Sequence, residues 1–214
     1  MPTLIPSILE NTLDNFQTVY SQEIKLAGVS HIQIDFGDGK FVPNTMLPVD
    51  SIDVLSPAYH FEAHLMCAEP MEFLDYKIAG FNTIIVHYEA YALPTQLRLA
   101  LQEIRRQGME PAVCINPETD VAVLTDLENE TKHFQLMSVQ PGFQGTPFLS
   151  ETLSRIAKLR KLCPNAILEV DGGINEMNIK SVVEAGADFI VLGSSLVKAP
   201  SMSDAWKVMQ TKIS

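Results

Sequence analysis

Two aspartates stand at the ends of short apolar runs. Asp35 follows His31-Ile32-Gln33-Ile34, and Asp171 follows Leu168-Glu169-Val170. A carboxylate on the inward side of an extended apolar segment is costly unless it is paired, ligated or put to use. Two such groups facing each other across a bound carbon suit proton removal from one face and delivery to the other. His64, in Glu62-Ala63-His64-Leu65-Met66, adds an imidazole. One histidine and two aspartates make a donor set for a hard-to-borderline divalent metal. A lone interior histidine is usually a packed core residue, so His64 matters only if it sits level with Asp35.

These residues need a scaffold that brings strand ends together. Eight β-rich runs alternate with amphipathic stretches: Thr3–Leu9, Ser30–Phe36, His60–Met66, Asn82–His87, Glu110–Ile115, His133–Val139, Ala166–Val170 and Asp188–Leu192. Each is bounded by Gly, Pro, Asn or Asp. Helical periodicity fills the gaps. Leu93–Gln107 carries Leu97, Leu99, Leu101 and Ile104, with Gly108 as its stop; Leu149–Leu162 carries Leu149, Leu153, Ile156 and Leu159; Ile179–Ala185 runs into Gly186. Alternation of this kind implies parallel pairing with right-handed crossovers. An open doubly wound sheet is the competing architecture. Eight units in 214 residues, without a linker or composition shift, favour one α/β domain over residues 1–214, a single (β/α)8 TIM barrel with parallel strands. Period two then places His31, Gln33 and Asp35 on one interior face, and Glu62, His64 and Met66 on another. Strand seven lies roughly across the mouth from strand two. Asp38-Gly39 reads as turn chemistry.

Glycine-bearing turns follow strands six, seven and eight: Gly142-Phe143-Gln144-Gly145, Gly172-Gly173 and Gly193-Ser194. They fall where barrels commonly bind phosphate, and glycine lets backbone N–H groups approach an anion. His87, at the end of strand four, is a candidate substrate contact at the rim. No lysine lies within a candidate strand or at its end, apart from Lys40 in the following loop, which disfavours Schiff-base chemistry. The Asp-x-Lys-x-x-Asp pattern of a decarboxylase of the orotidine-phosphate type is also missing.

Composition narrows the partners. A net charge of −11 repels nucleic acid and anionic membrane surfaces, yet leaves room for a small anion bound by backbone N–H groups. The three cysteines form no C-x-x-C pair and read as free thiols of a reducing compartment. Residues Met1–Leu9 lack the basic start and apolar length of a signal peptide, and no apolar stretch is long enough to span a bilayer, so a cytoplasmic protein is expected. Assembly into a homo-oligomer is left open, as many barrels assemble.

Several segments resemble ribulose-phosphate 3-epimerases: Pro6-Ser7-Ile8-Leu9, Asp35 through Asn44 (DFGDGKFVPN), His64-Leu65-Met66, Met137 through Gly145 (MSVQPGFQG) and Glu169 through Gly173 (EVDGG). The similarity runs in order along nearly the whole chain. It implies a ketose-phosphate 3-epimerase that interconverts D-ribulose 5-phosphate and D-xylulose 5-phosphate. Asp35 and Asp171 would exchange the C3 proton, and a divalent metal (zinc, iron or manganese) would stabilise the enediolate. It further implies metal ligation by Asp35, His64 and Asp171, and substrate contacts from Ser7, His64, Met66 and Met137. Phosphate would be bound by Gly142, Phe143, Gln144, Gly145, Gly172, Gly173, Gly193 and Ser194.

The chain departs from the family pattern at the mouth. Gln33 stands where the family has a fourth metal-ligating histidine, and an amide oxygen is a poorer ligand than imidazole for zinc or iron. His31 lies two residues upstream, roughly 6–7 Å deeper, and does not substitute. Gly37 replaces a methionine, Gln144 a glycine of the phosphate turn, and Glu10-Asn11-Thr12 a stretch that usually holds a second serine and an aspartate. These changes leave two alternatives: an epimerase or isomerase of different sugar-phosphate specificity with altered or absent metal, and a catalytically silent phosphosugar binder.

Overall fold

A computed structural model describes residues 2–53, 55–70 and 73–213. Eight parallel strands close into a barrel in chain order, β1 pairing with both β2 and β8. The strands are β1 (Thr3–Ile8), β2 (His31–Gly37), β3 (His60–Met66), β4 (Thr83–His87), β5 (Glu110–Ile115), β6 (His133–Met137), β7 (Ile167–Asp171) and β8 (Phe189–Leu192). The helices are α1 (Leu13–Glu23), α2 (Phe73–Ala79), α3 (Pro94–Arg106), α4 (Thr152–Leu162), α5 (Ile179–Ala185), α6 (Ser194–Val197) and α7 (Met202–Ile213). The expected barrel is therefore present, and the strand bounds differ from the sequence reading by two residues at most.

Two crossovers depart from a regular strand–helix alternation. Among the described residues, the β2–β3 connection holds one 3-10 turn, Val49–Ser51, and the β5–β6 connection a longer one, Val121–Leu127. The first connection contains Pro43, Pro48 and Pro57, each of which removes a backbone donor and fixes φ.

The outward strand faces pack against the helices. In α3 the buried residues are Leu97, Ala100, Leu101 and Ile104, the spacing of one helical face. Each such large side chain contributes roughly 1.5–3 kcal/mol by leaving water. Leu99, assigned to this face from sequence, is exposed, because two residues from Leu97 is nearly half a turn around the helix. Helix α4 begins at Thr152 and not at Leu149; the Leu149 N–H is drawn instead to the Ser138 carbonyl, at 2.9 Å. Gly186 ends α5 with φ of 115°, a left-handed position.

The inward faces are polar in layers, and strand register sets those layers. Asp35 pairs with His64, Gln33 with Glu62 and His31 with His60 across β2 and β3. On the other side Met137 pairs with Asp171, and Gln135 with Glu169. Alternating inward residues of neighbouring strands thus stack from the mouth downward.

Candidate active site

Strand β2 carries Asp35 to the mouth, β3 brings His64 beside it, and β7 delivers Asp171. The His64 Nδ1–H donates to Asp35 Oδ1 at 2.8 Å, and Asp171 Oδ2 lies 3.4 Å from the same nitrogen. One ligand-capable atom from each of the three lies within 4.8 Å of the other two, so they could close on a metal ion. All three line a cleft of about 570 Å³, counting the space open to solvent.

Burial raises the Asp35 carboxyl to about 6; its hydrogen bond with His64 opposes the rise, and the Asp171 charge adds to it. Burial disfavours a charged His64, yet its hydrogen bonds to Asp171 and Asp35 win and hold the imidazolium well above its ordinary range. On the ring's other side, His64 Nε2 lies 2.9 Å from His87 Nε2. Burial drives His87 down to about 4. His87 is therefore neutral and accepts the His64 Nε2–H, while its own Nδ1 faces Glu89 Oε2 at 3.5 Å.

The structure places His87, expected at the rim, fully buried beside His64 and not among the residues that line the cleft. Phe41, from the loop after β2, covers it, with ring centres 4.7 Å apart. Such a histidine–carboxylate chain orients the group in front of it.

Gln33 lies under the cleft floor, fully buried. Its Nε2 donates to Asp35 Oδ1 at 2.9 Å and to Asp171 Oδ2 at 2.8 Å. Its Oε1 accepts from Gln135 Nε2 at 2.7 Å. The amide thus turns its donor end toward the two carboxylates and its oxygen away. Gln135, which sequence reasoning passed over, sets that orientation. The signal was there: His133, Gln135 and Met137 alternate on the inward face of β6. His31 sits at the far end of the barrel against His60 and Phe189, away from this centre.

The same cleft is lined by Ser7, Gly142, Phe143, Gln144, Gly145, Gly172, Gly173, Gly193 and Ser194, together with Met66 and Met137. Two of these glycines are required by their surroundings. Gly172 has φ of 111°, and a Cβ there would lie 2.4 Å from Val139 Cγ2. Gly173 has φ of 62°, and a Cβ would meet the Phe148 backbone nitrogen at 2.6 Å. Both glycines therefore line the cleft without a side chain. Gln144 closes one edge by donating to the Leu9 carbonyl at 2.7 Å. Sequence reading also missed Lys198, whose ammonium reaches the Gly145 turn; a Cβ at Gly145 would lie 2.8 Å from Lys198 Nζ.

Two further positions, Gly37 and Asp38, have structural explanations. Gly37 leaves room for Met46, whose sulfur lies 2.3 Å from where a Cβ would stand, so a thioether fills that place from the following loop. Asp38 accepts from the backbone N–H groups of Lys40, Phe41 and Ala68 and serves as turn chemistry. Despite some burial, these bonds hold it below its usual range.

Fold and site together define a (β/α)8 barrel in which Asp35, His64 and Asp171 line one cleft with the glycine-bearing turns at the carboxyl ends of its strands. The sequence profile described as Ribulose-phosphate 3 epimerase family matches residues 3–197, and the chain belongs to that family. A ribulose-phosphate 3-epimerase of Synechocystis sp. is 36% identical over 94% of this chain and 89% of its own. The chloroplastic ribulose-5-phosphate-3-epimerase of Arabidopsis thaliana is 33% identical over 94% of this chain and 74% of its own. Among solved structures, a 3-hexulose-6-phosphate synthase superposes with a TM-score of 0.75 at 18% identity, covering 99% of this chain and 100% of that one. A 3-keto-L-gulonate-6-phosphate decarboxylase of Vibrio cholerae gives 0.74 at 14% identity, over 99% and 97%. These two likenesses concern the fold alone. No helix among the described residues is long and apolar enough to cross a membrane.

Proposed function

We propose that this chain is an isomerase, a ketose-phosphate 3-epimerase that interconverts D-ribulose 5-phosphate and D-xylulose 5-phosphate. The observation that carries the reading is the meeting of Asp35 and Asp171, from β2 and β7, around His64 in a cleft that the glycine-bearing turns also line. Family membership supports the substrate class.

Backbone N–H groups of the turns at Gly142–Gly145, Gly172–Gly173 and Gly193–Ser194 hold the phosphate, with Lys198 at the edge. That anchorage presents C3 of the sugar between the two carboxylates. Asp35 takes the C3 proton on one face and Asp171 returns a proton on the other. Asp35, raised to about 6 by burial, is matched to a base working near neutrality. The His64–His87–Glu89 chain fixes the imidazole beside both aspartates, and Met66 and Met137 exclude water from the reacting carbon. The donor set fits a divalent ion such as zinc, iron or manganese, held by Asp35, His64 and Asp171, which would supply Lewis-acid stabilisation of the enediolate oxygens. Gln33 would join that set only by turning its amide oxygen upward.

The present Gln33 orientation also favours a second reading. Its two N–H bonds already tie Asp35 to Asp171, the arrangement of a centre that works with weakly held metal or none. One experiment separates the readings. Proton NMR of D-ribulose 5-phosphate in deuterated buffer, with and without added zinc, should show loss of the C3 proton signal and growth of xylulose 5-phosphate. Exchange that zinc does not change supports the metal-independent form. Phosphosugar binding without exchange under either condition overturns the epimerase.

A further inference from the structure

Below the candidate active site the barrel holds a second set of ionisable side chains that the proposed reaction does not use. Glu62 of β3, His133 of β6 and Glu169 of β7 are buried, and one ligand-capable atom from each lies within 4.8 Å of the other two. Glu62 also forms such a group with His31 and His60. Register produces the convergence: Gln33 faces Glu62, His31 faces His60, and Gln135 faces Glu169 on adjacent strands.

Glu62 is the informative member. It is completely buried, and neither of its carboxylate oxygens has a hydrogen-bond partner among the described residues. A bare buried carboxylate is strongly disfavoured. Protonation removes the charge but leaves an O–H donor without an acceptor. A divalent cation answers both needs, because it neutralises Glu62 and Glu169 together and fills the empty valences of Glu62.

The neighbours are arranged as supports for such an ion. Glu169 Oε2 meets His133 Nε2 at 2.5 Å, and its other oxygen accepts from Gln135 Nε2 at 3.1 Å. His60 shares a hydrogen bond between Nε2 and Thr83 Oγ1 at 2.7 Å, which leaves Nδ1 available. His31 shares one between Nδ1 and Ser30 Oγ at 3.0 Å, which leaves Nε2 available. Outer partners of this kind set ring orientation at metal sites. The rings of His31 and His60, with centres 4.6 Å apart, are only partly buried and lie toward the amino-terminal ends of their strands.

We propose that Glu62, His133 and Glu169, with His60 and His31 on the open side, form a structural divalent-metal site of the zinc class, distinct from the Asp35–His64–Asp171 centre. Nitrogen and carboxylate donors select zinc, manganese or iron over calcium or magnesium. The inference does not depend on the epimerase reading.

The test uses the full chain with cobalt(II) as the probe. The His64→Ala, Asp171→Asn double variant removes the upper centre. Equilibrium dialysis with elemental analysis should find about one cobalt per chain still bound, and adding Glu62→Gln should abolish it. No cobalt on the double variant overturns the proposal, as does binding that Glu62→Gln leaves unchanged. If Glu62→Gln does not fold by circular dichroism, the double variant alone decides. Anomalous scattering at the cobalt edge should then place the ion between Glu62, His133 and Glu169, and an ion anywhere else overturns the site.

Discussion

The mouth and the lower half of the barrel interior use nearly the same side chains and treat them differently. At the mouth, Asp35, His64 and Asp171 are tied together by short hydrogen bonds, with Gln33 donating to both carboxylates. One layer down, Glu169 is paired with His133 and Gln135, while Glu62 has no partner. Burial and the nearby Glu169 push Glu62 well above its ordinary range, whereas Asp35 rises only to about 6. The difference lies in access. The mouth opens into a cleft where a substrate can meet the carboxylates, whereas Glu62 and Glu169 are fully buried below it. A polar cluster in a buried layer must satisfy itself or hold an ion; one at a mouth can wait for a ligand.

That contrast can be broken most directly at Asp171. Asp171→Asn should lower kcat by roughly 10²–10⁴-fold, the range for losing one acid–base group, while inorganic phosphate binding stays within about threefold. Steady-state kinetics and calorimetry check both parts, and loss of phosphate binding would mean that the aspartates and the glycine turns are not separable.

The next largest effect is on stability in metal-free protein. Asp35 has a folded pKa above its unfolded one, so its contribution is fully present below the unfolded value near 3.8 and is lost as pH rises through about 6. The loss is of order 3 kcal/mol at most. Urea unfolding of wild type and Asp35→Asn in EDTA, from pH 4 to 7, should show the wild type losing stability relative to the variant over that window. A constant difference across the range would remove Asp35 from the account.

The cradle should respond to Gly172→Ala. The new methyl meets Val139, and the residue is held at φ of 111°, a strain of roughly 1–3 kcal/mol. We expect a lower Tm and a raised KM for the sugar phosphate; an unchanged KM would argue that this turn does not hold phosphate. Gln33→His sharpens the comparison by giving the mouth a fourth strong ligand. It should tighten zinc binding and raise the epimerase rate, on the order of tenfold for a single ligand or its support. A rate that stays level or falls with zinc fully bound would favour the metal-independent centre. The smallest effect is expected far from both layers. Lys180→Ala breaks an exposed pair with Glu184 and should change unfolding free energy by less than about 0.5 kcal/mol.

Much of this was legible along the chain. Period-two alternation in β2 and β3 placed Asp35 and His64 on inward faces, and the glycine turns after β6, β7 and β8 do line one cleft with them. Leu99 shows where pattern reading fails, since an apolar residue between two face positions still points to solvent. His87 shows the other failure. Its strand-end position suggested the rim, but Phe41 from a different connection packs on its ring and His87 is fully buried.

The sequence by itself determined which residues alternate, which turns need glycine, and that eight strand–crossover units follow one another. Those are local properties, governed by steric limits on φ and by side-chain period. The tertiary structure alone decided which inward residues share a layer. That depends on register between strands whose residues are far apart in the chain, such as Gln33 with Gln135 or Glu62 with Glu169. Hydrogen bonds and charge–charge repulsion act at a few ångströms, so whether Gln33 turns an oxygen or an N–H group toward Asp35, and whether Glu62 finds a partner, was settled only when the barrel closed.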